Sequence, residues 1–171
     1  MKKIVLLNSL LFALFMSNAQ EIKLGGGIDI ATPVSSKFGD NAGAGFGLSG
    51  RIQVGFQDKF SVMGTVGALV FTKKENVTTR ITAIPVQFGF KYALVDAAIS
   101  KLYFSGEAGI HAMNEKTGNN SEGVSVFSYA PGIGIQIKNI DLSTRIQFMS
   151  EPFAGLRTNY FNIRLGYLFG I

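Results

Sequence analysis

The segment Phe161-Asn-Ile-Arg-Leu-Gly-Tyr-Leu-Phe-Gly-Ile171 decides the fold, because it carries an apolar side chain at every second position. Side chains of a β-strand alternate between two faces, so one face would hold Phe161, Ile163, Leu165, Tyr167, Phe169 and Ile171. The opposite face is polar or small apart from Leu168. About ten alternating residues are enough for a tilted strand to cross a bilayer. The segment therefore predicts a transmembrane β-strand.

The first twenty residues have the order of a secretory signal. Met1-Lys2-Lys3 is positively charged, 4–16 is mostly apolar, and 17–20 is small or polar. The apolar run is too short for a helix that spans a bilayer. We expect a signal peptide at 1–20, cleaved after Ala19 or Gln20, and a single domain at 21–171.

The composition is unusual for a soluble domain. Hydrophobic residues make up 47% of the chain and charged residues 16%, below the quarter that is typical of soluble proteins. There is no cysteine, which excludes disulfides and thiolate metal sites. Without Lys2 and Lys3 the chain has 14 basic and 11 acidic residues, a net charge of +3. This scattered excess does not indicate nucleic-acid binding.

Turn-forming residues divide the rest of the chain into eight segments of strand length, each with alternating faces. The predicted strands are 22–31, 44–57, 60–71, 80–92, 101–113, 124–138, 140–150 and 161–171. Long connections follow the odd-numbered strands, with tips at 38–42, 73–77, 116–122 and 152–157. Short periplasmic turns, longer outer loops and an even strand number are typical of outer-membrane barrels. The pattern predicts an all-β, eight-stranded antiparallel up-and-down transmembrane barrel, although it leaves the apolar residues of the predicted turn at 94–100 unexplained.

The less apolar face of the strands decides between a membrane barrel and a soluble one. It combines Gly, Ser and Gln with isolated charges, namely Lys23, Asp29, Arg51, Lys91, Glu107, Lys138, Asp141, Arg145 and Arg164. Eight strands enclose a lumen that side chains can fill, and buried charges must be paired. We therefore expect lipid outside and an ionic plug inside, with a charge network of Asp29, Arg51, Lys91, Glu107, Asp141, Arg145 and Arg164.

Aromatic residues cluster towards both ends of the predicted strands, where amphipathic rings favour the membrane interfaces. The predicted periplasmic girdle consists of Phe56, Phe60, Tyr92, Tyr167 and Phe169. The predicted outer girdle consists of Phe46, Phe127, Tyr129, Phe148 and Phe161.

The signal ending Ser17-Asn-Ala-Gln20, the eight alternating segments and the aromatic terminal strand carry a family resemblance. Over its whole mature length the chain resembles the small eight-stranded outer-membrane barrels of Gram-negative bacteria, the OmpX and OmpA-barrel class. It looks most like the porin-family outer membrane β-barrel proteins of Bacteroidetes. The resemblance implies contact with outer-membrane lipid and recognition of the last strand by the barrel-assembly machinery. Such barrels usually end in an aromatic residue that the assembly machinery recognises, whereas this chain ends in Ile171. Recognition of the last strand therefore either tolerates Ile at this position or depends on Tyr167 and Phe169.

The sequence contains only weak candidates for a catalytic or ligand-binding motif. The Gly-rich stretch 45–50 matches a phosphate-binding fingerprint but precedes a strand pattern and not a helix. His111 is the only histidine, and a lipid-modifying enzyme would need it beside a serine with a supporting carboxylate. Its neighbours are Ala112 and Met113, so it is interpreted as a barrel-lining residue. We predict no catalytic residue, no metal site and no cofactor.

The sequence thus predicts a non-enzymatic integral outer-membrane barrel with a structural, adhesive or partner-binding role and a polar plug inside. Its outer loops are the expected contact for a protein partner. Three alternatives remain open: a narrow pore for ions or small solutes, a lipid-modifying enzyme, and a soluble periplasmic ligand-binding barrel.

Overall fold

The computed structural model describes residues 21–56, 59–74, 79–117, 120–150 and 158–171, so the predicted signal peptide at 1–20 lies outside the described residues. Each strand pairs antiparallel with its neighbours along the chain, and β1 pairs with β8 to close a barrel. The predicted eight-stranded up-and-down barrel is confirmed. Its elements are β1 (Glu21–Pro33), α1 (Ser36–Asn41), β2 (Ala42–Phe56), β3 (Phe60–Lys73), β4 (Thr79–Ala97), β5 (Ser100–Thr117), β6 (Asn120–Ile137), β7 (Ile140–Met149) and β8 (Tyr160–Gly170).

The predicted alternation sets the two faces of the barrel. Leu48 and Phe88 are 68% and 73% exposed on the outside, whereas Asp141 and Arg164 are fully buried inside. This arrangement is the reverse of a soluble barrel, which buries its large apolar side chains. No helix among the described residues is long and apolar enough to cross a membrane.

The predicted turn at 94–100 is wrong in its extent. Strands β4 and β5 continue past a bulge between Ala93 and Val95, and only residues 98 and 99 form the turn. Leu94, Val95 and Ile99 are exposed on this longer hairpin. Their apolar character therefore continues the outer surface of the barrel instead of marking a turn.

The long connection predicted between the strands 101–113 and 124–138 is also wrong. It forms the paired ends of β5 and β6, with Asn114 opposite Gly123 and Glu115 opposite Glu122. Polar side chains do not end a strand whose backbone groups are paired across the ladder. The connection after β5 is consequently short, against the predicted alternation of loop lengths.

Strands β5 and β6 extend further than β7 and β8 at the outer end of the barrel. Strands β4, β5 and β6 have 19, 18 and 18 residues, whereas β7 and β8 have 10 and 11. The last register pair of β6 with β7 is Ser128 opposite Met149. Residues 112–125, called the outer hairpin below, therefore project beyond β7 and β8.

The turn-rich stretch that follows β1 contains a helix that the sequence did not reveal. In α1, Gly39 N donates to Ser35 O at 2.8 Å, and Phe38 is fully buried. The connection between β1 and β2 thus folds over the outer mouth of the barrel and does not simply extend away from it.

Candidate functional site

The middle of the lumen is filled by charged side chains that centre on Asp141. Its Oδ1 accepts from Arg51 Nη1 and Arg164 Nη1, each at 3.4 Å, and its Oδ2 accepts from Tyr103 Oη at 2.9 Å. Lys91 Nζ also donates to Oδ2, and lies 4.3 Å from the centre of the Tyr103 ring. Because these donors come from β2, β4, β5 and β8, one carboxylate of β7 connects strands around the whole barrel.

A second set of ion pairs is built around Arg145 and Glu107. Glu107 Oε1 accepts from Arg145 Nη1 at 2.9 Å and from Arg51 Nη2 at 3.0 Å. Arg145 Nη2 also donates to Asp29 Oδ1 at 3.3 Å, and its Nε donates to Asn162 Oδ1 at 3.1 Å. Arg51 belongs to both sets, so all seven residues of the predicted network are buried and joined in one cluster. We call this cluster the ionic layer.

Glycines make room for the largest of these side chains. A Cβ on Gly27 would lie 2.9 Å from Arg164 Cζ, and a Cβ on Gly166 would also collide with that guanidinium. Arg164 Nε donates to Ser49 Oγ at 2.9 Å, and Ser49 in turn donates to Asp29. Glycine on the inner face therefore allows a fully buried arginine to lie against the barrel wall.

Of two further lysines that the sequence assigned to the inner face, Lys23 lies there and Lys138 does not. Lys138 is exposed in the turn after β6 and has a positive φ of 51°, so its assignment to the interior is wrong. The strand ends at Ile137, and alternation no longer applies beyond it. Lys23 lies at the periplasmic rim, where its Nζ is 3.1 Å from Glu21 Oε2.

His111 lies above the ionic layer and is held by two hydroxyl groups. Its Nδ1 is 2.8 Å from Ser128 Oγ and its Nε2 is 2.9 Å from Tyr160 Oη. Ser128 Oγ can donate to Gly109 O at 3.4 Å, which leaves His111 Nδ1–H to donate to Ser128 and Tyr160 Oη–H to donate to Nε2. This assignment satisfies every donor in the chain of hydrogen bonds.

The sequence did not predict that a serine would reach His111, because Ser128 comes from the neighbouring strand. The contact meets one requirement of the lipid-modifying alternative. However, His111, Ser128 and Tyr160 are all fully buried, and the second ring nitrogen faces a phenol and not a carboxylate. The arrangement fits a satisfied buried histidine better than an activated nucleophile.

The outer third of the lumen is apolar, which the sequence did not lead us to expect. Phe38 of α1 packs edge-on against Phe71 at 5.0 Å between ring centres, and Phe71 packs in the same way against Tyr160 at 5.6 Å. We call this cluster the apolar plug; its members are Ala31, Phe38, Ala42, Leu69, Phe71, Ile81, Ala83, Met113, Val126, Met149 and Tyr160. Most members of the apolar plug could have been predicted from the alternation of side chains along each strand, since they share the inner face with the charged residues.

The periplasmic end of the lumen opens into a small basic vestibule. A cavity of about 110 Å³ is lined by Lys23, Lys59, Lys91 and Lys101, among others. Its inner wall is formed by Lys91 and Tyr103, the side chains that hold Asp141. The vestibule therefore ends at the ionic layer.

Most of the predicted girdle residues face outward. Phe46, Phe60, Tyr92, Phe127, Tyr129, Tyr167 and Phe169 are exposed, and Phe56, Phe148 and Phe161 are half-buried. Some rings pack in pairs on this surface, for example Tyr129 with Phe148 at 5.1 Å and Tyr167 with Phe169 at 4.8 Å between ring centres. Their role at the two interfaces stays a prediction.

A closed eight-stranded barrel with an apolar exterior and a charged interior defines the class of small transmembrane β-barrels. The chain belongs to the family of the outer membrane protein beta-barrel domain, whose family model matches residues 5–169. Membership of this family indicates the outer membrane of a Gram-negative bacterium and contact with its lipid. A comparison with curated protein sequences finds no match.

Solved structures with the same fold come from several bacteria. The attachment invasion locus protein Ail of Yersinia pestis is 18% identical with a TM-score of 0.51, and the match covers 87% of this chain and 97% of that one. Neisserial surface protein A is 13% identical with a TM-score of 0.58, covering 86% and 95%. The N-terminal barrel domain of Pseudomonas aeruginosa OprF is 9% identical with a TM-score of 0.54, covering 86% and 97%. At these identities the likeness concerns the fold alone.

Proposed function

We propose that the chain is a non-enzymatic outer-membrane barrel with a closed lumen, which acts as a structural, adhesive or partner-binding protein through its outer end. The observation that carries this proposal is that ion pairs cross the lumen between opposite strands. Arg51 of β2 and Lys91 of β4 both bind Asp141 of β7. Above them, Gln87 Nε2 of β4 donates to Gln147 Oε1 of β7 at 3.3 Å.

Two barriers in series support a closed lumen over a narrow pore. An ion that entered from the periplasmic vestibule would meet the ionic layer and then the apolar plug. Breaking buried pairs costs several kcal/mol, and the eleven side chains of the apolar plug include one polar group, the Tyr160 hydroxyl, that could replace the hydration of an ion.

Conductance of the purified protein in planar bilayers tests this part of the proposal. We expect no stable conductance from the wild-type protein, from Phe38→Ala or from Asp141→Ala, because each single variant keeps one barrier. The double variant is expected to conduct. A stable, voltage-responsive conductance of the wild-type protein would contradict the closed lumen.

The outer hairpin is the part of the barrel best placed to meet a partner. It carries charges of both signs, including Glu115, Lys116 and Glu122. Among the described residues, β6 has a paired neighbour only on its β5 side along 121–126. A free strand edge and mixed charges are features that protein partners can recognise.

Shortening the outer hairpin tests the partner-binding role. Replacing residues 115–122 by Asn-Gly keeps the Asn114–Gly123 pair and closes it with a favoured two-residue turn. We expect the barrel to stay folded, with heat-modifiable gel mobility, while the attachment of expressing cells to surfaces falls. The control places the same Asn-Gly pair at 138–139, at the periplasmic end. Equal attachment by both variants would contradict this role.

The proposal also includes one step of export, the cleavage of the signal peptide, and one step of assembly, the recognition of β8. We infer that the signal peptide is removed after Ala19 or Gln20, which N-terminal sequencing of the membrane protein would test. The outward-facing Tyr167 and Phe169 support recognition of β8 by the barrel-assembly machinery. Replacing both by Ala is expected to slow membrane insertion more than Ile171→Ala does.

A further inference from the structure

We propose that the outer surface of β4, β5 and β6 binds a phosphorylated lipid of the outer leaflet. Arg80 and Lys116 would hold the phosphate, and a groove over Gly106 and Ala108 would hold one acyl chain. This site lies on the lipid-facing side of the barrel, is independent of the closed lumen, and shares Lys116 with the outer hairpin.

The first observation is a pair of like charges at the outer edge of the sheet. Arg80 lies directly opposite Lys116 in the register of β4 and β5, and both side chains are exposed. The Cβ atoms of such neighbours are about 5 Å apart, and like charges at this spacing are destabilising. No carboxylate of the described residues forms an ion pair with either side chain. A phosphate between the two cations would convert this repulsion into charge-assisted hydrogen bonds.

The position of the pair matches the headgroup level of the membrane. On β5 the outward apolar positions end at Ala112, and the next outward residues are Asn114 and Lys116. On β4 the corresponding change runs from Ile84 to Thr82 and Arg80. The cations therefore lie just above the apolar surface, where phosphate groups of outer-leaflet lipids are found.

The second observation is an apolar groove lower on the same strands, with a volume of about 410 Å³. Its floor is made by the small residues Gly106 and Ala108 of β5. The Phe90 ring lies over Gly106, 3.0 Å from where a Cβ would stand, whereas Phe88 and Tyr129 flank Ala108 from the two neighbouring strands. The open part of the groove therefore lies over Ala108, between two aromatic rings, and suits a flexible hydrocarbon chain.

The distance between the two features fits one lipid. Eight residues separate Ala108 from Lys116, which corresponds to about 26 Å along an extended strand. With a strand tilt of about 40°, this is about 20 Å along the membrane normal, or half of a bilayer of about 40 Å that includes the headgroups. The acyl chain of an outer-leaflet lipid with its phosphate at the basic pair would thus end in the groove.

A lipid of the inner leaflet fits less well. On the periplasmic side, Lys101 lines the lumen vestibule, and its Nζ is already paired with Asp96 Oδ2 at 2.9 Å. In addition, the Phe90 and Phe104 rings meet edge-on at 5.4 Å between their centres, which narrows that end of the groove. The geometry thus favours entry of the acyl chain from the outer side.

Native mass spectrometry of the folded full chain in detergent tests the proposal with two probes, phosphatidic acid and phosphatidylcholine of identical acyl chains. We expect phosphatidic acid to bind about tenfold more tightly, the effect of one additional charge-assisted hydrogen bond. Arg80→Gln with Lys116→Gln should remove this preference. Ala108→Phe should fill the groove and weaken the binding of both lipids.

The matched control is Lys59→Gln with Lys138→Gln, which removes the same charge at the periplasmic end and should keep the preference. Equal binding of the two lipids by the wild-type chain, or an equal loss in this control, would overturn the proposal. Displacement of phosphatidic acid by millimolar inorganic phosphate would show a phosphate site without a lipid site. A dimer that disappears with Ala108→Phe would assign the groove to a second copy instead. Heat-modifiable mobility checks that each variant is folded, and the outer hairpin stays intact in all of them.

Discussion

The ionic layer and the apolar plug fill the same lumen by different means. The ionic layer consists of strand residues only, and its hydrogen bonds and ion pairs join six of the eight strands. The apolar plug also contains strand residues, but it is completed by Phe38 from a short helix outside the strands. The ionic layer therefore closes the lumen with residues of the barrel wall alone, whereas the apolar plug depends on how the connection between β1 and β2 folds.

This difference has energetic consequences. Removing one partner of a buried ion pair leaves other charges without compensation, a penalty that the surrounding structure cannot easily relieve. Removing an apolar side chain leaves a cavity, whose cost falls when the neighbours can collapse into it. We therefore expect substitutions in the ionic layer to be the more destabilising ones.

Asp141→Ala should have the largest effect. It removes the shared partner of Lys91, Arg51 and Arg164, and should lower the free energy of unfolding by about 4 kcal/mol. Urea unfolding of the protein in lipid vesicles measures this change. The control is Asp96→Ala, whose pair with Lys101 is partly exposed and should contribute less than about 1 kcal/mol. Similar losses in the two variants would mean that the ionic layer is not a stabilising unit.

Phe38→Ala should destabilise the barrel by about 3 kcal/mol, because the ring is fully buried but α1 can partly refill the space. The same unfolding measurement applies, and Val34→Ala in the same connection is the control, since Val34 is 58% exposed. If the Phe38 variant were as stable as the control, the helix would contribute nothing to closing the outer mouth.

The ionic layer can be predicted from the sequence more fully than the apolar plug, and the reason is physical. Strict alternation identifies the inner face of each strand, so the order of residues alone assigns Asp29, Arg51 and Arg164 to one lumen. The sequence predicts that these charges form ion pairs, but it does not predict which residues pair. The partners depend on the register between strands that are far apart in the chain. Phe38 has no such periodic signal, since it lies among turn-forming residues. The approach of Ser128 and Tyr160 to His111 likewise depends on three strands meeting in the closed barrel.

Ser128→Ala tests the boundary between the ionic layer and the apolar plug. It leaves His111 Nδ1–H without its buried partner, which should cost about 2 kcal/mol of unfolding free energy. Ser125→Ala, on the outer face of the same strand, is the matched control and should have little effect. Membrane lipid composition should be the same with either variant. A change in lipid composition with Ser128→Ala alone would instead favour the lipid-modifying alternative.

Lys138→Gly should have the smallest effect and the opposite sign. Lys138 has a φ of 51°, a conformation that is costly for a residue with a Cβ and easy for glycine. We expect Lys138→Gly to stabilise the barrel by about 0.5 kcal/mol, because the charge lies in solvent and takes no part in the ionic layer. Lys138→Gln keeps the unfavourable φ and should leave stability unchanged. If both variants lost several kcal/mol, Lys138 would belong to the buried network after all, and the boundary between the ionic layer and the periplasmic turns would have to be moved.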